Sequence, residues 1–266
     1  MASSDRVLKL GVFDSGIGGI TVLEALKRRF PEHDFAYFGD TLNVPYGTKS
    51  ETVIRLLSES AGMRMADYGL DAVVVACNTA SSLALPEFEK TLSPIPVFGM
   101  VEAGVAAILD AFRLGFVEPS TPVIVFGTRA TVRSGVYGRL LRAALPEATV
   151  FEQACPLLVP IIEEGWKDHE ILRTALREYA AAYQQLTPGV ALLGCTHYPW
   201  IRGAFESALP GWKIIDSAEA VCERLAEAFP ELLSTQNSGV THWYFSDPET
   251  VAPFIFGNSP PVLDTF

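Results

Sequence analysis

Residues 72–82 read Ala-Val-Val-Val-Ala-Cys-Asn-Thr-Ala-Ser-Ser, and the fold follows from this stretch. Val73, Val74 and Val75 run without polar alternation toward Cys77, and Asn78, Thr79 and Ser81 follow at once. An unbroken apolar run predicts a strand buried on both faces, as in a parallel sheet. The polar cluster after it signals a helix start. Cys77 is therefore expected at the carboxyl edge of a strand, beside a helix N-terminus. Open α/β sheets bind ligands at that edge, and a helix N-terminus favours a thiolate. The construction recurs at residues 191–200, Ala-Leu-Leu-Gly-Cys-Thr-His-Tyr-Pro-Trp, where Cys195 is followed by Thr196 and His197.

Working outward, Val7 to Phe13 is a strand candidate. It leads into Asp14-Ser15-Gly16-Ile17-Gly18-Gly19 and a helix with Ile20, Leu23, Leu26 and Phe30 near helical spacing. The glycines suit a tight turn that lets a ligand approach the backbone. Phe35 to Phe38 is a second strand, and Pro45-Tyr46-Gly47 is a turn that presents a tyrosine at the same edge. Thr48 and Glu51, in capping-box spacing, open a helix that closes near Gly69. Further strands are expected at Pro94–Phe98, Val123–Phe126, Ala148–Cys155, Trp212–Asp216, Thr241–Phe245 and Pro261–Leu263. Helices are expected at Glu102–Arg113, Asp168–Gln185 and Ala218–Phe229. Strand–helix alternation predicts an α/β fold with parallel sheets flanked by helices. Units near 7–30 and 72–85 have counterparts near 123–145 and 190–208. The prediction is two similar lobes related by a pseudo-two-fold axis, with a cleft between their carboxyl edges.

Composition narrows the functions. The 266 residues are 49% apolar and 19% charged, with net charge −11 and no basic cluster. That disfavours nucleic acid and anionic membrane surfaces as partners. The N-terminus lacks the apolar core of a signal peptide, and no apolar run reaches the roughly 18 residues of a membrane span. A cytoplasmic protein is expected. Cys77, Cys155, Cys195 and Cys222 form no CxxC pair and are expected as free thiols. Cys195 and His197 alone are too few ligands for zinc, so no metal is expected.

Two thiols at facing strand ends would flank a small bound molecule. One as thiolate and one as thiol, on opposite faces of a carbon, remove a proton from one side and return it from the other. Stereoinversion by two bases needs no cofactor where the carbanion is tolerated. Asn78, Thr79 and Thr196 are suited to grip a carboxylate. Asp14 is suited to hold an ammonium or to help deprotonate Cys77, and His197 to do the same for Cys195. Glu163 reads equally well as a site residue or a solvated helix residue. Cys155, Cys222, His33, His169 and His242 sit in ordinary structural settings.

DSGIGGITVL, GDTLNVPYG, VVVACNTAS, GTRATVRSGVY, ACPLLVPIIEEG and LLGCTHYPW occur in this order between Val7 and Trp200. Together they resemble the glutamate racemases of bacterial cell-wall synthesis. The resemblance implies cofactor-independent interconversion of L- and D-glutamate, carried here by Cys77 and Cys195. It implies substrate contacts from Asp14, Ser15, Tyr46, Gly47, Asn78, Thr79, Thr196 and His197. Asp14, His197 and Glu163 match supporting acid–base positions. It also implies that residues 211–266 rejoin residues 1–99 in the lobe carrying Cys77, leaving 100–210 as the lobe carrying Cys195. A homodimer is compatible with it. One departure is Leu42-Asn43, where the family usually has Ala-Arg.

Other functions fit less well. Gly16-Ile17-Gly18, with Asp40 ending the next strand, imitates a dinucleotide fingerprint, but Thr21 occupies the third glycine position. A phosphatase of the haloacid dehalogenase type would need an acid where Gly16 stands. A non-catalytic two-lobed binding protein explains a cleft but not two cysteines. Aspartate and hydantoin racemases on the same fold remain rivals, since side-chain length selection depends on cleft shape.

Overall fold

The computed structural model describes residues 6–233, 239–251 and 263–265. Val73, Val74 and Val75 form β3 (Ala72–Val75), fully buried and hydrogen-bonded in parallel to β1 (Lys9–Asp14) and β4 (Val97–Gly99). β2 (Asp34–Gly39) pairs with the other edge of β1, and β9 (Thr241–Phe245) and β10 (Leu263–Thr265) extend the sheet beyond it. The six-stranded order is β10-β9-β2-β1-β3-β4. Of the strand expected at Pro261–Leu263, Pro261 and Val262 lie outside the described residues.

The second sheet is built from β5 (Val123–Gly127), β6 (Val150–Ala154), β7 (Val190–Gly194) and β8 (Lys213–Asp216), all parallel, in the order β6-β5-β7-β8. Renumbered within each half, both sheets share the order 2-1-3-4. β7 is thus the equivalent of β3, so Cys195 and Cys77 follow equivalent strands. β8 corrects one expected boundary. Residues 213–216 pair with β7 instead of returning to the first sheet, and the chain crosses back only with α11 (Ala218–Ala228). There Val221 and Leu225 pack with Leu23 and Leu26 of α1 (Ile20–Arg29).

Side-chain alternation gives each sheet two cores. Val12 and Val74 face one cluster, whereas Phe13, Val73 and Val75 face the other. In the second sheet Ile124, Phe126, Ala191 and Leu193 face one side, and Val123, Val125, Val190 and Leu192 the opposite one. Helices cover these faces, as a parallel sheet requires.

Helix ends depart from expectation in informative ways. α2 (Glu51–Met65) is capped by Ser50, whose Oγ accepts from Val53 N, and not by Thr48. Thr48 is taken up in a 3-10 turn, Tyr46–Thr48, that closes the tyrosine loop. Gly69, at φ 64°, ends the segment after α2 as read. The long helix expected from Asp168 is shorter: α9 (Glu170–Ala180), followed by a 3-10 turn. After Cys195 comes a 3-10 turn, Tyr198–Ile201, before α10 (Arg202–Ala208), so the second cysteine lacks the helix that starts directly after the first. His33 is a core histidine: Nδ1 accepts from Leu8 N at 3.0 Å, and Nε2 lies 3.3 Å from Leu232 O.

Candidate active site

Four strand ends meet between the sheets. Cys77 caps α3 (Asn78–Leu83), with its Sγ accepting from Ala80 N at 3.5 Å and its thiol donating to Ser15 Oγ at 3.4 Å. Across from it, Cys195 Sγ lies 3.9 Å from His197 Nδ1, and His197 Nε2 lies 2.9 Å from Glu163 Oε1. Glu163 is the last residue of α8 (Leu158–Glu163). Of its two readings, the structure places it against the histidine.

The lobes interlock pairwise. From the first lobe, Asp14 Oδ1 accepts from Thr196 Oγ1 at 3.1 Å, and Thr21 Oγ1 donates to Thr196 O at 2.9 Å. From the second, the loop after β5 meets the loop after β3: Thr128 Oγ1 and Thr131 Oγ1 lie 2.9 and 3.2 Å from Thr79 Oγ1. Each β1-type loop therefore contacts the cysteine loop of the opposite lobe, the arrangement a pseudo-two-fold axis produces. Gly18 serves this docking: a Cβ there would overlap His197 and Thr196. The glycine expected to let a ligand approach instead lets the other lobe approach.

Cys77, Cys195, Ser15, Tyr46, Gly47, Asn78, Thr79, Thr196 and His197 line one cavity, with Val44, Pro45, Thr128 and Val159 completing its wall. Its free volume is about 20 Å³, room for roughly one water. Asp14 is fully buried behind Ser15, and Glu163 stands behind His197. The predicted residues thus fall in or directly against one space. Thr128 is a wall residue that the GTRATVRSGVY motif contains but that the sequence alone does not single out. Its signal was the position of GTRAT after β5, the counterpart of β1.

Burial sets the electrostatics. Desolvation, reinforced by the Asp14 carboxylate, pushes the Cys77 thiol up to about 12, outweighing its hydrogen bonds with Ser15 and Ala80. The expected depression at the helix N-terminus is therefore reversed in this closed arrangement. Asp14 itself is raised by burial, with His197 and the Gly16 amide pulling the other way. His197 is buried, which disfavours its charge, but the Cys195 sulfur and then the Glu163 carboxylate hold it up to about 10. Both partners thus favour the imidazolium form. Asp14 makes its hydrogen bonds to Gly16 N and Thr196, not to Cys77, so here it favours the thiol form.

Tyr46 is completely buried, and its hydroxyl donates to Asp40 Oδ2 at 2.6 Å. The same carboxylate accepts from Asn43 Nδ2 at 2.9 and 3.1 Å and from Ser246 Oγ at 2.8 Å. Asn43, one of the departing residues, thus braces the tyrosine loop from behind, and Leu42 is exposed. Tyr46 offers the cavity its ring and backbone, its hydroxyl being engaged with Asp40.

The family model for Asp/Glu/hydantoin racemases matches residues 21–225. With two equivalent cysteines on one interlobe cavity, the chain belongs to the Asp/Glu/hydantoin racemase family. Within it, the similarity runs to glutamate racemases. That of Thermus thermophilus is 43% identical over 249 residues, spanning 92% of this chain and 90% of the relative. Among solved structures, the Francisella tularensis glutamate racemase in complex with D-glutamate superposes with TM-score 0.86 at 29% identity, covering 99% of this chain and 98% of that one. The Thermus thermophilus glutamate racemase in complex with β-chloro-D-alanine gives TM-score 0.81 at 39% identity, covering 98% of each chain.

Proposed function

We propose that this protein interconverts L- and D-glutamate by two-base proton transfer between Cys77 and Cys195. The observation that carries the proposal is that both thiols line one small cavity, each at the end of an equivalent strand. The relatives named glutamate racemase, and the neighbour solved with D-glutamate, support glutamate as the substrate.

Asn78, Thr79 and Thr196 hold carboxylate oxygens. One sulfur, as thiolate, takes the α-proton and becomes a thiol; the thiol opposite gives its proton to the other face and becomes the thiolate. The two enantiomers thus exchange the roles of acid and base. Cys195 has an imidazolium beside it, which suits a thiolate, and Glu163 keeps that imidazolium charged. Cys77, beside Asp14, is held as the thiol. The resemblance to glutamate racemases implies that Cys195 takes the α-proton of L-glutamate and Cys77 that of D-glutamate. Excluding water from the cavity strengthens each of these charge interactions. No group of three or more His, Cys, Asp or Glu among the described residues could hold a metal ion, and every step uses side chains of this chain.

The D-glutamate would supply peptidoglycan synthesis, in the cytoplasm; no helix among the described residues is long and apolar enough to cross a membrane. The net charge of −11 supports the absence of a nucleic-acid partner. A homodimer belongs to the same proposal, and sedimentation of the purified chain checks it. Circular dichroism of L-glutamate with the protein, without pyridoxal phosphate, tests the reaction: ellipticity should decay to zero as the racemate forms. A flat trace from folded protein would refute it.

A further inference from the structure

Tyr137 lies on α7 (Val136–Ala144), in the core cluster of the second lobe, and is completely buried. Its hydroxyl nevertheless leaves that core and reaches the first lobe. It donates to Asn78 Oδ1 at 2.7 Å and lies 3.2 Å from Met100 O. A phenol has one proton, and the shorter contact takes it. The ring is held in place by α5 (Met100–Arg113), where a Cβ at Gly104 would sit 3.2 Å from the tyrosine hydroxyl.

The contact matters because an asparagine amide presents two nearly superimposable ends of opposite polarity. With Oδ1 occupied by Tyr137, Nδ2 points its hydrogens elsewhere. Asn78 is 3% exposed and lines the cavity, while its Oδ1 is taken by the tyrosine. In that orientation the amide offers the cavity a donor, which a carboxylate oxygen accepts. A freely turning amide would instead present its carbonyl oxygen to the anion in part of the population.

We propose that Tyr137 is a positioning residue for carboxylate recognition: by donating to Asn78 Oδ1, it locks the amide with Nδ2 facing the substrate. A residue of one lobe thereby sets the polarity of a ligand-binding group on the other. Because a carboxylate is common to both enantiomers, the effect is the same for L- and D-glutamate. The inference rests on the glutamate reading above. Wild-type turnover and D-glutamate binding are measured first, so failure of that reading shows in the wild type, and failure of this one only in the variants.

The test is steady-state kinetics in both directions together with calorimetric D-glutamate binding. Tyr137→Phe should raise KM for both enantiomers by about 3- to 10-fold, the value of one neutral hydrogen bond, with kcat within about twofold. In an Asn78→Ala background the same change should leave D-glutamate affinity unaltered, since no amide remains to orient. An unchanged KM in Tyr137→Phe, or an equal loss of affinity in both backgrounds, overturns the proposal. Should Tyr137→Phe fail to fold, Asn78→Asp decides the matter with the tyrosine intact. It should bind D-glutamate more weakly than Asn78→Ala, having replaced a donor with a negative oxygen. Equal or tighter binding by Asn78→Asp overturns the proposal.

Discussion

His197 carries the most informative charge in the molecule. Its ordinary value is near 6.5 and burial alone would lower it, yet Cys195 and Glu163 hold it up to about 10. A group whose pKa is raised by folding stabilises the fold fully below its unfolded value and loses that contribution as pH climbs to the folded one. Stability from His197 is therefore complete below about pH 6.5 and lost toward pH 10, visible as a falling melting temperature over that window. Glu163→Gln removes one of the two partners. It should narrow that window from the alkaline side and shift the alkaline limb of the pH–rate profile toward neutrality. The expected loss of kcat/KM is below the roughly 10²- to 10⁴-fold cost of removing a direct acid–base group. An unshifted alkaline limb would mean that Glu163 is only a structural partner. Cys77 shows where sequence reasoning stopped at this scale. A helix N-terminus argues for a lowered thiol, but the closeness of Asp14 and the depth of burial are properties of the assembled site.

At the scale of elements, strands were the most legible feature. β3 and β7 are continuous apolar runs, and their burial on both faces leaves little choice of conformation. Ends were harder to read. Thr48 has the spacing of a cap, but the turn closing on Tyr46 uses it, and Ser50 caps α2 instead. The loop Asp14–Gly19 was legible as glycine-rich, while the reason for its glycines was not: Gly18 faces Thr196 and His197, residues distant in sequence. Gly18→Ala should push the Cys195 loop away from the first lobe. Activity should fall at least about 10-fold, by analogy with the sensitivity of catalysis to small misplacements, while the far-ultraviolet dichroism stays that of the wild type. Normal turnover by Gly18→Ala would show that this close approach is dispensable.

For the whole molecule, the repeated 2-1-3-4 strand order brings two cysteines separated by more than a hundred residues to one cavity. The repeat was legible because its units recur in order along the chain. The assignment of β8 was not, since a lone strand near a lobe boundary carries no mark of the sheet it joins. The role of Tyr137 is not legible in sequence for a related reason: its partner Asn78 sits on the opposite lobe, and no local pattern announces such a contact. The loop pairs Asp14–Thr196 and Thr79–Thr128 join the two lobes at that cavity.

Everything in the mechanism depends on two separate sulfurs serving the two faces of one carbon. Racemisation in deuterium oxide, followed by proton NMR at low conversion, tests this most directly. Two bases predict product fully deuterated at the α-carbon while recovered substrate keeps its proton, in both directions. Product that retains the substrate's own proton would contradict the account.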